Sequence, residues 1–259
     1  MAGRRARSVA VLADIHGNLP ALEAVLGEPD VTAADAVVLL GDIALGPMPG
    51  ETLDVLAELG QRAVWVHGNC EREMVTAFDG KQVPGPNGPQ AAASAALISR
   101  RHRDLLDGLP LTVTVDVDGL GPAMFCHASP RRDDEMLLVD SPMQRWEAAL
   151  SGLDAGIQTV VCGHTHMQFD RLAAGRRVVN PGSVGMPYGP LGAHWALLGP
   201  GAWLRRTRYD TAAAARVIAA GRYLSAGEWA REYVLHHYSD AEALAAFTEI
   251  ARQQENQAP

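Results

Sequence analysis

The feature that most constrains the fold is a short apolar run that stops at a glycine and is followed by residues able to bind metal. Residues 159–162 are apolar and partly β-branched, and the run is too short for a helix, so it predicts a buried strand. Gly163 permits a sharp turn, and His164 and His166 follow with one residue between them. Because imidazole is the commonest metal ligand, the pair predicts a metal site at a strand end. The alternative is two loop histidines that make ordinary hydrogen bonds.

The same arrangement recurs earlier in the chain. Apolar runs that predict strands lie at 9–13, 36–40 and 63–66, each ending in polar residues, with predicted helices at 20–26 and 51–59. Asp14 and His16 are alternate residues leaving the first strand, so their side chains can converge on one point, although a helix cap is the alternative for Asp14. Repeated strand–loop–helix units predict a layered α/β fold, in which ligands bind just beyond the carboxyl ends of the strands.

The rest of the chain predicts further elements of the same core and a helical tail. The predicted elements are a surface loop or lid at 79–90, helices at 91–106 and 143–150, strand pairs at 111–117 with 123–126 and 169–173 with 177–179, and a last hairpin at 195–198 with 202–209. Residues 211–254 are helical in composition, with a break near Ser239. We expect residues 1–210 to form one domain and residues 211–259 a helical extension packed on it.

Composition excludes several classes of protein. The 259 residues carry a formal net charge of -8, which argues against a protein that coats nucleic acid through its phosphates. No apolar run approaches the ~20 residues of a membrane span, and the run at 8–13 is too short for a signal-peptide core. Cys70, Cys126 and Cys162 show no disulfide framework, so we expect a cytoplasmic protein. The oligomeric state is left open.

Polar residues at the strand ends form one set of candidate ligands. Its seven members offer oxygen or nitrogen atoms and are Asp14, His16, Asp42, Asn69, His127, His164 and His166. Seven ligands are too many for one zinc ion with its usual four. They suit two cations about 3.5–4 Å apart with one carboxylate shared between them. A set without an obligatory thiolate favours Mn, with Fe, Zn or Ni as alternatives.

The order of these residues resembles the signature of the calcineurin-like metallophosphoesterase superfamily. The matching blocks are Asp14-x-His16, Gly41-Asp42, Gly68-Asn69, His127 and Gly163-His164-x-His166. A later block, Asn180-Pro181-Gly182-Ser183, resembles the small bacterial and archaeal phosphodiesterase branch. The resemblance implies a four-layer α/β/β/α sandwich with a dimetal site at the strand ends.

The resemblance also implies a role for each ligand. Asp14, His16, Asp42 and His166 would hold the first metal; Asp42, Asn69, His127 and His164 would hold the second, with Asp42 bridging. A water between the metals would attack phosphorus, so Asp42, Asn69 and His127 would act in catalysis through that water. The implied activity is hydrolysis of phosphodiesters or nucleotide polyphosphates, with a small phosphorylated substrate as the partner.

Cys70 departs from the family pattern. Many members carry a histidine directly after the Gly-Asn block, and that histidine is thought to protonate the leaving group. A thiol, with a reference pKa of ~8.5, is a poor substitute for imidazole. Cys70 is therefore either a tuned residue of the site or a small buried filler. The departure argues against efficient hydrolysis of alkyl phosphomonoesters.

Two arginines are candidates for contacting the substrate phosphate. Arg72 and Arg131 follow ligand blocks and could bind phosphate bidentately, with a solvated surface position as the alternative for each. A phosphomonoesterase or nucleotidase using the same metals is the nearest rival function. A binding scaffold on an inactive phosphoesterase fold is a rival of a different class, although a scaffold usually loses ligands and this sequence retains all seven.

Overall fold

The computed structural model describes residues 4–257, with side chains as far as Gln254. Residues 1–3 and 258–259, at the ends of the predicted domain and extension, lie outside the described residues. The strands are β1 (Arg4–Ala6), β2 (Val9–Leu12), β3 (Ala36–Leu40), β4 (Ala63–Val66), β5 (Thr112–Val117), β6 (Gly121–Cys126), β7 (Thr159–Val161), β8 (Gln168–Ala173), β9 (Arg176–Pro181), β10 (Ala193–Leu198) and β11 (Ala202–Thr207). The helices are α1 (Leu19–Leu26), α2 (Pro29–Ala33), α3 (Pro49–Ala57), α4 (Asn69–Phe78), α5 (Gly88–Ala95), α6 (Arg100–Asp107), α7 (Met143–Ala149), α8 (Thr211–Ala219), α9 (Ala226–Ala230) and α10 (Asp240–Gln257).

The strands form two sheets. The five-stranded sheet has the order β11-β10-β2-β3-β4, and the six-stranded sheet has the order β1-β5-β6-β7-β9-β8. In the first, β2, β3 and β4 run parallel; in the second, β6, β7 and β9 run parallel. Parallel neighbours bring their carboxyl ends to one edge of a sheet. The polar residues that follow β2, β3, β4, β6 and β7 are therefore collected together.

Three apolar cores separate four layers and confirm the predicted sandwich. Along β2, Val9 and Val11 point into a core between the sheets, where they meet residues such as Phe125. The intervening Ala10 and Leu12 point into a second core under the helices that cover the five-stranded sheet. A third core lies between the six-stranded sheet and α7. Because β2 and β3 are buried on both faces, they read as continuous apolar runs without alternation.

The structure corrects two predictions in the middle of the chain. The single helix predicted at 91–106 is wrong, because α5 ends at Ala95 and α6 begins only at Arg100. Ser99 interrupts the run: its hydroxyl accepts a hydrogen bond from His102 N (3.2 Å) and caps α6. The loop predicted at 79–90 is shorter than expected, since α5 already begins at Gly88.

The C-terminal residues pack against the loops that follow the strands. Ile218, Tyr223 and Trp229 share an apolar cluster with Met48 and Met186. Helix α10 packs through a second cluster on the 136–138 segment, and helical structure breaks before it, as predicted near Ser239. That residues 211–259 extend the same domain stays a prediction. Within residues 4–257, no helix combines the length and the apolar character needed to cross a bilayer.

Candidate metal centre

All seven predicted ligands lie at one edge of the sandwich, and both sheets contribute. Asp14 and His16 follow β2, Asp42 follows β3, Asn69 begins α4 after β4, His127 follows β6, and His164 and His166 follow β7. Six of the seven are buried, and His164 is partly buried. The facing loops therefore carry ligands from the five-stranded sheet on one side and from the six-stranded sheet on the other.

The ligand atoms form two adjoining groups. In the first, His166 Nε2 lies 3.3 Å from Asp14 Oδ1 and 3.1 Å from His16 Nε2. In the second, His127 Nε2 lies 3.3 Å from Asp42 Oδ1, and its ring is 5.1 Å from that of His164. Asp42 also lies beside the first group, with Oδ2 at 3.9 Å from His16 Nε2. Clusters Asp14–His16–His166 and Asp42–His127–His164 each have the spacing to hold a cation.

Backbone carbonyls orient the histidine rings so that their Nε2 atoms face the centre. His16 Nδ1 donates to the carbonyl of Leu45 (3.1 Å) and His166 Nδ1 to that of Met186 (2.9 Å). In neutral rings both Nε2 atoms then carry lone pairs, yet they face each other at 3.1 Å. His127 is fixed in the same way by the carbonyl of Leu40 (2.8 Å). Carbonyls behind the rings are the usual support of metal-binding histidines.

Three buried atoms of the predicted ligands lack any hydrogen-bond partner. This observation tests whether the residues fit a metal ion. These atoms are Asp14 Oδ1, Asn69 Oδ1 and His127 Nε2. An unpartnered buried polar atom costs about 1–3 kcal/mol, and three in one place need a common cause. Asn69 is oriented for this role, because its amide NH₂ donates to Glu73 Oε1 (3.3 Å) and leaves Oδ1 for the centre. Carboxylate, amide and imidazole atoms together fit divalent cations.

The backbone is held in an uncommon conformation at these positions. Seven non-glycine residues among 4–257 have positive φ, and five of them are Asp14, His16, Asp42, His164 and His166, with φ between 50° and 67°. This left-handed region is unfavourable for most L-residues, although Asp, Asn and His tolerate it best. Strain concentrated on ligand residues is a mark of a preorganised functional site.

Glu71 organises the loops beneath Asp42, a role that was not predicted from the sequence. Its carboxylate accepts hydrogen bonds from the backbone N–H groups of Asp42, Ile43 and Gly68, each at 2.8 Å. It also stands three residues after Gly68 at the start of α4, the position of a capping box. Burial raises the pKa of Glu71 to about 7, with the Asp42 charge adding to the rise. The capping spacing is the one signal that could have identified it.

Two glycines and the loop of residues 180–183 keep the predicted ligands close together. A Cβ at Gly68 would lie 2.4 Å from Asp42 Oδ1, and one at Gly41 would lie 2.7 Å from His127 Nδ1. In the loop of residues 180–183, Asn180 Nδ2 donates to the carbonyl of Gly163 (2.8 Å). The hydroxyl of Ser183 donates to the carbonyl of Asp14 (2.7 Å). These contacts fix the backbone on both sides of the centre.

Electrostatics show that the pocket favours positive charge. Burial opposes ionisation of Asp42, but His127, His16 and His164 together hold its pKa well below the usual range. Burial would lower the pKa of His127, yet the Asp42 and Asp14 charges outweigh it and raise the pKa to about 10. His164 lies beside His127, and burial together with that neighbour lowers its pKa to about 4. A buried centre in which Asp42 is held ionised attracts cations.

Cys70 lies inside this centre, whereas the two candidate arginines are engaged elsewhere. The Cys70 thiol, with His16 and Asp42, forms a third close cluster of ligand-type atoms. Burial and the Asp42 and Glu71 charges raise its pKa well above the usual value.

Arg72 pairs with Asp133 through Nε (2.9 Å) and Nη2 (3.1 Å). Arg131 pairs with Glu135. Contact of Arg72 or Arg131 with substrate remains a prediction.

Comparisons with known proteins agree with this architecture. A curated relative, an uncharacterised protein of Methanocaldococcus jannaschii, is 26% identical over 205 residues, which cover 69% of this chain and 76% of the relative. The crystal structure of a hypothetical protein from Pyrococcus horikoshii OT3 superposes with a TM-score of 0.74 at 21% identity, covering 89% of this chain and 99% of that one. A metallophosphoesterase from Sphaerobacter thermophilus superposes with a TM-score of 0.68 at 22% identity, covering 88% and 98%. At these identities the structures show the shared fold.

The family assignment rests on the sequence that carries the ligands. A family model described as the calcineurin-like phosphoesterase superfamily domain matches residues 8–199. This span includes every predicted ligand from Asp14 to His166, together with strands β2 to β10. The matched residues thus supply the sandwich and the paired ligand groups together, and the chain belongs to the calcineurin-like phosphoesterase superfamily.

Proposed function

We propose that this protein hydrolyses phosphoesters with two divalent cations, and that phosphodiesters or nucleotide polyphosphates are its substrates. Asp14, His16, Asp42 and His166 would hold one cation; Asp42, Asn69, His127 and His164 would hold the other. The observation that carries the proposal is the sharing of Asp42 between two ligand groups that also contain the three unpartnered atoms. When bound, such cations supply Lewis acidity toward water and phosphoryl oxygens. Mn²⁺ is the proposed ion, with Fe, Zn or Ni as alternatives.

The chain's own residues act by holding this geometry. The carbonyls of Leu40, Leu45 and Met186 fix the histidine rings with Nε2 facing inward. Asp42 receives the backbone N–H of Cys70 (3.0 Å) on Oδ1, which orients its carboxylate toward both ligand groups. Preorganised polar groups of this kind lose little energy in reorganising during reaction. Asp42, Asn69 and His127 would therefore contribute to catalysis as fixed ligands and not as proton carriers.

The residue at the leaving-group side supports the choice of substrate. Cys70 occupies the position at which many relatives would place a proton donor, and its raised pKa favours the neutral thiol. A neutral thiol held this firmly is a weak acid for an alkoxide leaving group. Phosphodiesters with stable leaving groups and nucleotide polyphosphates need less protonation. The alternative function is a phosphomonoesterase or nucleotidase that uses the same cations. Such an enzyme would need a proton donor other than Cys70 for the leaving group.

The ligand set also bears on the non-catalytic alternative. A scaffold has no need to keep buried, unpartnered ligand atoms, because each one destabilises the fold when no cation is present. Here Asp14, Asn69 and His127 all retain such atoms. This observation favours an enzyme over a binding scaffold.

The first prediction tests the two-cation proposal directly. Protein freed of metal by chelation and reconstituted with Mn²⁺ should bind close to two ions per chain by elemental analysis. Hydrolysis of bis(p-nitrophenyl) phosphate should be lost on chelation and return with the second ion. The variant Asp170→Asn, which alters a carboxylate paired with Arg177 on the surface, is the control and should match the wild type. Full activity at one ion per chain would show that the two-cation proposal is wrong.

A further inference from the structure

The loop that joins β9 to β10, residues 182–192, holds the ring of the predicted ligand His166 in two ways. The carbonyl of Met186 accepts a hydrogen bond from His166 Nδ1 (2.9 Å). The ring of Tyr188 stacks on the imidazole, with centroids 5.9 Å apart and planes inclined by 28°. The hydrogen bond fixes one atom of the ring, whereas the stack fixes its plane. Because the lone pair of Nε2 lies in that plane, the plane decides whether the lone pair points at a cation.

C-terminal residues hold Tyr188 in turn. The rings of Tyr238 and Phe247 meet the Tyr188 ring edge to face, with centroids at 6.4 and 5.7 Å and planes inclined by 66° and 75°. Aromatic rings favour such arrangements. The backbone of the same loop is also attached, because Gly189 N donates to the carbonyl of Tyr238 (3.0 Å). Both of these aromatic residues lie outside the span 8–199 that the family model matches.

Helix α10 packs closely on both sides of the His166 ring's support. Gly189 has a φ of 76°, and a Cβ at this position would lie 2.6 Å from Asp240 Oδ2 at the start of the helix. Met167, the residue directly after His166, shares an apolar cluster with Ala243 of α10. The helix therefore contacts the chain beside the ligand as well as the ring that covers it.

These contacts concern one of the two ligand groups. In the proposed assignment His166 serves only the cation of the first group. The second group has its own supports: His127 donates to the carbonyl of Leu40 (2.8 Å), and its ring packs on that of His164 at 5.1 Å. Loss of Tyr188 should therefore weaken one cation site and spare the other.

We propose that Tyr188 is a positioning residue that fixes the plane of His166 for the first cation, and that α10 holds Tyr188 in place through Phe247. The proposal rests on the proposed function for the presence of the cations. The position of Tyr188 over His166 does not depend on them and can be tested in the metal-free chain.

The first experiment follows the ring protons of His166 by NMR in the chelator-treated full chain at constant pH. A ring stacked on the imidazole shifts these signals through its ring current. Tyr188→Ala should move them, and Tyr188→Phe should leave them nearly unchanged, because an aromatic ring remains. Phe247→Ala should move them in the same direction as Tyr188→Ala, since the unsupported ring leaves the stack. Ile250→Ala, at an exposed position of the same helix, is the control. Unchanged signals in Tyr188→Ala or in Phe247→Ala would overturn the proposal.

The second experiment measures the two stepwise dissociation constants for Mn²⁺ by competition with a fluorescent chelator. Tyr188→Ala should raise one constant by about 10–100-fold, the range expected when the support of a metal ligand is lost, and leave the other close to the wild type. Tyr188→Phe should restore the wild-type value. Val117→Ala is the control for a general loss of stability, because this buried residue pairs with Gly121 at the edge of the sheet opposite to His127. Unchanged constants in Tyr188→Ala, or an equal rise in both, would overturn the proposal.

The background His166→Ala separates positioning from a general structural effect. In that background the ligand through which Tyr188 acts is already missing, so Tyr188→Ala should weaken Mn²⁺ binding no further. A further loss of the size seen in the wild-type background would overturn the proposal. Binding of fewer than two Mn²⁺ ions by the wild type would instead count against the proposed function, and the NMR experiment would still decide the position of Tyr188.

Discussion

At the scale of single residues, Asp42 is the position on which both ligand groups depend. Its carboxylate lies 3.3 Å from His127 Nε2 and 3.9 Å from His16 Nε2, one residue in each group. Every other ligand belongs to one group only in the proposed assignment. Loss of the charge on Asp42 should therefore weaken both cation sites together.

We predict that Asp42→Asn is at least as damaging as His166→Ala. The isosteric change keeps the shape of the side chain but removes the charge shared by the two groups, whereas His166 serves one group. Loss of a single contact that supports or ligates a metal typically lowers metal affinity or activity by about 10–100-fold. We therefore expect Asp42→Asn to lower activity by that factor or more. The measurement is diester turnover as a function of Mn²⁺ concentration. Near wild-type turnover at low Mn²⁺ would contradict the bridging role.

For Cys70 we predict a change in preference and not a loss of activity. Cys70→Ala should keep diester hydrolysis within about tenfold of the wild type, since the thiol transfers no proton in the proposed reaction. Cys70→His should raise the ratio of alkyl monoester to diester hydrolysis, because a placed acid contributes about 10²–10⁴-fold for poor leaving groups. Cys126→Ala, at another buried cysteine, is the control. A thousandfold loss in Cys70→Ala with both cations bound would make Cys70 catalytic.

At the scale of elements, the turn between β1 and β2 is anchored to the start of β3 by Asp35. Its carboxylate accepts hydrogen bonds from Arg7 N (2.7 Å) and Ser8 N (3.3 Å), and it pairs with the Arg7 guanidinium (3.0 Å). Through Arg7 above all, these contacts lower the pKa of Asp35 from 3.8 to about 2. Strand β1 was not predicted, because Arg4–Ala6 has no apolar pattern and its partner β5 lies more than 100 residues away.

We predict that the stabilising effect of Asp35 is lost in acid. Since its pKa is lower in the folded than in the unfolded chain, its contribution is complete above about pH 4 and disappears as the pH falls toward 2. Asp35→Asn should therefore melt below the wild type at neutral pH, and the difference should shrink between pH 4 and 2. Both proteins share the metal centre, so its own titration cancels. A difference that stays constant from pH 7 to 2 would contradict the assignment.

The elements that could be predicted are those whose signals lie close together in the sequence. The strand ends were predicted because the apolar run, the glycine and the ligands are adjacent in sequence. The division between α5 and α6 was missed because the residues on both sides of Ser99 favour helix, and Ser99 alone signals the new start through its cap. The role of Glu71 was missed for another reason: its partners at Asp42 and Ile43 are 28–29 residues away. The position of Tyr223 gave no local signal, since its packing near Met48 and Met186 exists only in the folded chain.

At the scale of the whole molecule, the two sheets meet at the metal centre through ligands from both. Asp14, His16 and Asp42 belong to the five-stranded sheet, and His127, His164 and His166 to the six-stranded sheet. Cations bound in the proposed way would link the two sheets at the edge where their loops face each other. Metal binding should therefore be coupled to global stability and not only to activity.

We predict that Mn²⁺ raises the melting temperature of chelator-treated protein. A ligand present at a hundred times its Kd adds about 2.7 kcal/mol, which corresponds to a rise of about 5–10 °C for a chain of this size. Asp42→Asn should lose most of the rise, whereas Asp170→Asn should keep it. The measurement is calorimetric melting with and without Mn²⁺. An equal rise in Asp42→Asn and the wild type would show that the ion stabilises the protein from somewhere else.

The left-handed backbone at five ligand positions limits which metal-binding residues this fold can carry there. Aspartate, asparagine and histidine tolerate that conformation, while β-branched side chains do not. Replacing His164 by threonine would therefore fail for backbone reasons before any cation takes part. Glycine removes a ligand at such a position without adding strain, so His164→Gly separates loss of the imidazole from distortion of the loop. A substitution intended to change the metal preference must therefore introduce a residue that tolerates the left-handed backbone conformation at that position.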